Sequence, residues 1–176
     1  MAVDILLYIL LGVLILAIII GGSLLRSRVN RGASRAGDAA GRRFEAAQLA
    51  ETLGEFGTSV VIHAAEPVAR EVVAAAMSGR GKHFVIRDDG RYGIRFIEPD
   101  DTILALDTDP DGVRLQVQSF REYLGFPQTA PLWTDLRARI TAAAEARGIP
   151  VTGGAPAGYR RGGLLDDRNA RWDRDA

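Results

Sequence analysis

Cysteine is absent from the 176-residue chain, which excludes a disulfide-stapled scaffold and any zinc site with thiolate ligands. Lysine is almost absent as well. Lys82 stands alone among 22 basic residues, and with the abundant Ala, Gly and Arg this is the composition expected of a GC-rich bacterial genome. Histidine occurs twice, as His63 and His83, each at the end of a predicted strand with no second ligand at metal spacing, so each reads as a hydrogen-bonded strand residue. Aromatic residues make up 7% of the chain, yet hydrophobic residues reach 47%, which is too apolar for a disordered polymer and fits one domain of ordinary size.

Charge is balanced overall, with 22 basic and 22 acidic side chains, but it is segregated along the chain. Residues 1–25 hold one charged side chain, Asp4. Residues 26–43 hold six arginines, Arg26, Arg28, Arg31, Arg35, Arg42 and Arg43, against Asp38, a net of +5. The remainder, 44–176, keeps 16 basic and 20 acidic residues, a net of −4.

Between Ile5 and Leu25 no residue is charged, and 15 of these 21 are Leu, Ile or Val. As a helix the segment would be about 31 Å long, matching a hydrocarbon core of about 30 Å. At about −0.3 to −0.6 kcal/mol per Leu, Ile or Val, insertion gains on the order of 5 to 9 kcal/mol. No polar stripe marks a core helix, and a signal peptide would carry its basic residues before the apolar run rather than after it. The arginines that follow the segment predict an N-terminus outside and the bulk of the chain in the cytoplasm, at the cell membrane. Arg26, Arg28, Arg31 and Arg35 are the candidate contacts to anionic headgroups, although a topology signal alone accounts for them equally well.

Beyond a Gly, Ala, Ser and Arg-rich linker, the spacing of Phe44, Ala47, Leu49, Leu53 and Phe56 predicts a helix over 41–55. Thr58 to His63 is a β-branched run suited to a buried strand, and Glu66-Pro67 opens a helix that ends in Ser78-Gly79-Arg80-Gly81-Lys82. Four short strands are predicted over 83–87, 91–97, 102–108 and from 113, separated by turn chemistry. In the last, Val113, Leu115 and Val117 alternate with Arg114, Gln116 and Gln118, the pattern of one buried and one wet face. A helix from Pro131 to Gly148 carries Leu132, Trp133, Leu136, Ile140 and Ala144 on one stripe. The glycine-rich segment 153–176 is expected to be a disordered tail. The fold class is therefore α+β: one N-terminal transmembrane helix (1–25), a basic linker (26–43), then a cytoplasmic domain (44–152) in which a small antiparallel sheet is packed by a long C-terminal helix.

The order strand, helix, antiparallel meander and closing helix, carried by SVVIHAAEPVAREVV and PLWTDLRARITAAAEA, resembles a shortened helix-grip, or START-like, domain over Thr58–Gly148. The resemblance implies an apolar ligand held between sheet and closing helix, and no functional residue is carried over from it.

Several local patterns invite chemistry. Asp107, Asp109 and Asp111, with Gly112, match the first six positions of a calcium loop, but Leu115 and Gln118 stand at its ninth and twelfth positions, and a hairpin turn explains the same residues. Gly79 to Lys82 lacks the first glycine and the Ser or Thr of a phosphate loop. The acidic residues at the meander turns read as a solvated rim that attracts a basic partner; an enzyme relying on that rim is the third reading. Phe120, Tyr123, Phe126 and Trp133 cluster between the last strand and the closing helix, as anchors of that helix or as the mouth of a ligand pocket. No nucleophile, base and orienter can be named together, no cofactor is required, and no basic stripe interleaved with aromatics points to nucleic acid. The expectation is a non-catalytic, membrane-anchored binding or scaffold domain whose partners are the lipid bilayer and a protein; the alternative is a binder of a small apolar ligand or lipid.

Overall fold

The computed structural model describes residues 41–175, so the apolar segment 1–25 and Arg26, Arg28, Arg31 and Arg35 lie outside the described residues. The chain divides into 1–47 and 48–176, and the sheet and its packing belong to the second unit. Helix α1 covers 41–57. Strand β1 (Val60–Ile62) and helix α2 (Glu66–Met77) follow, then β2 (Phe84–Ile86), β3 (Tyr92–Ile94), β4 (Thr102–Asp109), β5 (Gly112–Tyr123) and β6 (Phe126–Pro127). Helix α3 (Ala130–Glu145) is succeeded by β7 (Val151–Gly153), β8 (Tyr159–Leu164) and β9 (Ala170–Arg174).

Among the described residues the fold is α+β with nine antiparallel strands, which corrects the expected fold class. The sheet is not small, the long helix is not the last element, and no helix among the described residues is long and apolar enough to cross a membrane. The expected disordered tail is also corrected. Strand β7 pairs with β1, β9 pairs with β5, and β8 pairs with β9. Two of the glycines that suggest disorder instead mark close approach: a Cβ on Gly154 would collide with the Ser59 hydroxyl, and one on Gly162 with the Arg171 carbonyl. Ala170 and Trp172 are both buried, so the tail does supply an apolar stripe at strand period.

β5 organises everything else. Val113, Leu115 and Val117 face the core, as their alternation predicts, until a bulge opposite Ile103/Leu104 inserts one extra residue. Because side chains alternate with period two, one extra residue switches the inward positions from odd to even. Phe120 and Glu122 consequently become the fully buried residues of the second half, with Ser119 nearly so. On this inner face α1, α2 and α3 pack over the sheet, with Phe56, Val72, Leu115, Leu136 and Ile140 fully buried in one core.

Helix α3 follows its predicted stripe, since Trp133, Leu136, Ile140 and Ala144 are all fully buried. It ends where glycine predicts. Ile149 N–H donates to the Ala144 carbonyl at 2.9 Å and Gly148 N–H to Glu145 at 3.0 Å, with Gly148 at φ 66°, the paired bonds of a left-handed helix stop.

The β4–β5 turn is a two-residue hairpin, Pro110-Asp111, closed by the Asp109–Gly112 pair. Gly112, at φ 150°, lies against the carbonyl of Ile62 where β1 ends, leaving no room for a Cβ. Gly112→Ala is therefore expected to lower stability by about 1–3 kcal/mol, read as a lower urea midpoint at unchanged slope. A variant as stable as the parent would show that β1 does not approach β5 this closely.

Candidate functional site

The aromatic quartet does not converge on a pocket. Phe120 is fully buried, stacked on Phe56 at 4.2 Å between ring centroids and on Trp172 at 5.9 Å. Trp133 is fully buried under α3, with the Arg137 guanidinium 5.7 Å from its ring centroid. Tyr123 is half-buried and turned toward Phe96, 5.5 Å away. Phe126 borders an open cleft of about 460 Å³ between α1 and the start of α3, with Gln48, Thr52 and Pro131. Trp133, Leu136, Ile140 and Ala144 are fully buried in the core, and two clefts along α3, bordered by Thr134, Arg137 and Thr141, are open ones. Phe120 and Trp133 are thus core residues, Phe120 against Phe56, Tyr159 and Trp172 and Trp133 on α3 itself.

Asp107, Asp109 and Asp111, the partial match to a calcium loop, lie at the β4–β5 hairpin. Asp107 accepts hydrogen bonds from the amides of Gln116 and Gln118. Asp109 is paired with Arg114 and accepts the Asp111 N–H at 3.2 Å. That backbone bond, acting against burial and helped by Arg114, holds the Asp109 carboxyl below its ordinary value. With these carboxylates engaged in a hairpin, no group of three or more His, Asp or Glu among the described residues is disposed to hold a metal. An open cleft of about 490 Å³ does lie here, lined by His63, Glu66, Asp107, Asp109 and Asp111. His63 Nε2 is 2.9 Å from the Thr152 hydroxyl, a contact to β7.

Two buried carboxylates hold the other end of the sheet together: Glu122, which the sequence did not single out, and Asp101, which was expected in the solvated rim of the meander turns and is instead fully buried. Asp101, fully buried, accepts backbone N–H bonds from Phe96, Ile97 and Glu98 at 3.0, 2.6 and 2.8 Å through one oxygen, and the Tyr123 hydroxyl at 2.6 Å through the other. Burial first, and the bond to the Asp101 carboxylate second, push the Tyr123 phenol up to about 12. Glu122, also buried, accepts the Trp172 indole N–H at 2.7 Å and the fork of Arg161, whose Nε lies 3.0 and 3.1 Å from its two oxygens. Burial works to raise the Glu122 carboxyl, but the bonds from Arg161 and Trp172 outweigh it and hold the group below its ordinary value. Both carboxylates are saturated with donors, which suits them to fix turns and strands rather than to exchange protons.

Around these anchors the β3–β4 connection, the β5–β6 turn and the β8–β9 connection come to one end of the sheet. The Leu124 N–H donates to the Asn169 side chain at 3.0 Å, Leu165 N–H to the Asn169 carbonyl at 2.8 Å, and Arg171 reaches Asp100 at 2.9 Å. This end presents Phe96, Ile97, Leu124, Leu164 and Leu165, all 47–76% exposed. The signal in the sequence was large apolar residues placed beside Gly, Pro and Asp, where turns are normally polar. No known protein family, curated protein or solved structure matches the chain.

Proposed function

We propose that the protein is a non-catalytic binding domain, held at the cytoplasmic face of a membrane by its uncharged N-terminal segment, where it organises a protein partner. The observation that carries this reading is how the buried ionisable groups are used. Asp101 caps a loop, Glu122 ties β9 to β5, and Asp109 closes a hairpin against Arg114, which leaves surfaces rather than an interior site to do the work.

The acidic β4–β5 turn, with Asp107 and the exposed Asp111 beside Glu66, is the surface that favours a basic partner. The tagged full chain, extracted from its own membranes in mild detergent, is expected to bring down a stoichiometric partner that raised salt releases and that Asp111→Arg no longer retains. Recovery of the chain alone, at low salt and near its native abundance, would overturn the reading.

A further inference from the structure

His63 stands among the carboxylates of the acidic turn. It follows the last residue of β1 and shares a face with Val61, whose partners are Thr152 on β7 and Arg114 on β5. Its main chain is fixed on two sides. The His63 N–H donates to the Pro150 carbonyl at 3.1 Å, and Gly112 lies so close that a Cβ there would come 3.0 Å from the His63 Cα. The residue thereby lines the open cleft of about 490 Å³ together with Glu66 at the start of α2 and Asp107, Asp109 and Asp111 at the β4–β5 turn.

Arg114, paired with Asp109, is the cation already at this turn. Four carboxylates against one guanidinium leave a net charge of −3 around the ring. Carboxylates ordinarily titrate near 4, whereas histidine is the side chain whose ordinary value falls between pH 5.5 and pH 7.5. A proton on His63 therefore takes the net from −3 to −2 within that interval. Asp109 does not cancel the change, because the Asp111 N–H first, and Arg114 with it, hold its carboxyl below the ordinary value, and the charge of His63 acts on it in the same direction. The polar contact of the ring, Nε2 to the Thr152 hydroxyl at 2.9 Å, suits both protonation states. A hydroxyl accepts from an N–H and donates to a bare nitrogen.

We propose that His63 is a proton sensor for the acidic turn: its protonation weakens the hold on a basic partner, and loss of the proton restores it. This rests on the reading of that turn as the surface for such a partner. One added charge about 6 Å from a bound cation in a water-exposed cleft changes affinity about threefold. By linkage, the bound cation in turn expels protons from the ring.

The probe is a rhodamine-labelled oligoarginine peptide, followed by anisotropy at low salt against the full chain in nanodiscs of phosphatidylcholine, whose headgroups carry no net charge. Its affinity is expected to fall about threefold from pH 7.5 to pH 5.5 in the parent and in His83→Gln, and to stay level in His63→Gln. Asp111→Arg is expected to weaken binding at both pH values. A level affinity in the parent, or a His63→Gln variant that keeps the pH dependence of the parent, would overturn the sensor and leave the acidic turn as the binding surface. A probe that binds Asp111→Arg as well as the parent would remove that surface, and the sensor with it. Calorimetry of the parent at pH 6.5, in buffers of different ionisation enthalpy, needs no variant. It is expected to show protons released on binding, and heats independent of the buffer would contradict the proposal.

Discussion

Trp172→Ala is expected to destabilise the protein by about 3–5 kcal/mol and to lower its thermal midpoint by roughly 10 °C or more. Three contacts are lost at once. The indole is nearly fully buried, it stacks on Phe120, and its N–H donates to the buried Glu122 carboxylate. Removing it leaves a cavity beside Phe120 and strips one donor from a buried charge, and the two losses act in the same direction. A chain truncated after Gly153 is expected to behave similarly or worse, because β9 then no longer covers Ser119, Phe120 and Arg121 on β5. Equilibrium denaturation decides the matter, and a change below about 1 kcal/mol would mean that β9 is not part of the cooperative unit.

Glu122→Gln is expected to cost about 1.5–3 kcal/mol at neutral pH, the range for hydrogen bonds made by a charged group. It keeps the shape of the side chain and removes the charge that Arg161 and Trp172 are bound to. The same carboxylate makes the folded state sensitive to acid. Its folded-state value lies below the ordinary 4.5, so the unfolded chain takes up the proton first on acidification. Its contribution is complete above that ordinary value and is lost as the pH falls through the lower, folded one. Stability measured by urea between pH 6 and pH 3 should therefore fall more steeply in the parent than in Glu122→Gln. Parallel curves would place the acid sensitivity elsewhere.

Helix α3 and the first half of β5 were legible because their signals are local. Trp133, Leu136, Ile140 and Ala144 recur at helical spacing, and Val113, Leu115 and Val117 at strand spacing, each on a face that is then buried. The bulge was not legible. Nothing between Val117 and Phe120 announces an extra residue, since it arises from the pairing of β5 with β4 rather than from either strand alone. The order of the tail was hidden for the same physical reason. It depends on Glu122, fifty positions from Trp172 in sequence, and the composition of Gly153 to Gly163 carries no information about that partner.

The candidate site was legible only in part. Six residues around Asp107 satisfied half of a calcium pattern, yet Val113 onward continues as strand, and the carboxylates are turned to Arg114, Gln116 and Gln118 instead. Phe120 and Trp133 stand out in sequence as large aromatic residues near the closing helix, but core and cleft cannot be told apart by spacing. The apolar end was missed because its five members lie on two connections, a hairpin turn and the end of β8. Only the antiparallel register of β3, β4, β5, β8 and β9 brings those connections together.

The central claim is the proposal that a sheet domain is held at the cytoplasmic face of a membrane, with its acidic turn open to a basic partner. Asp111→Cys places the sole thiol of the chain at that turn and exposes the claim to a membrane-impermeant maleimide in the native host. The account predicts that the protein stays with the membrane fraction after carbonate extraction and that the thiol at position 111 is labelled in inverted vesicles but not in intact cells. Labelling at position 111 in intact cells, or release of the chain by carbonate, would contradict it.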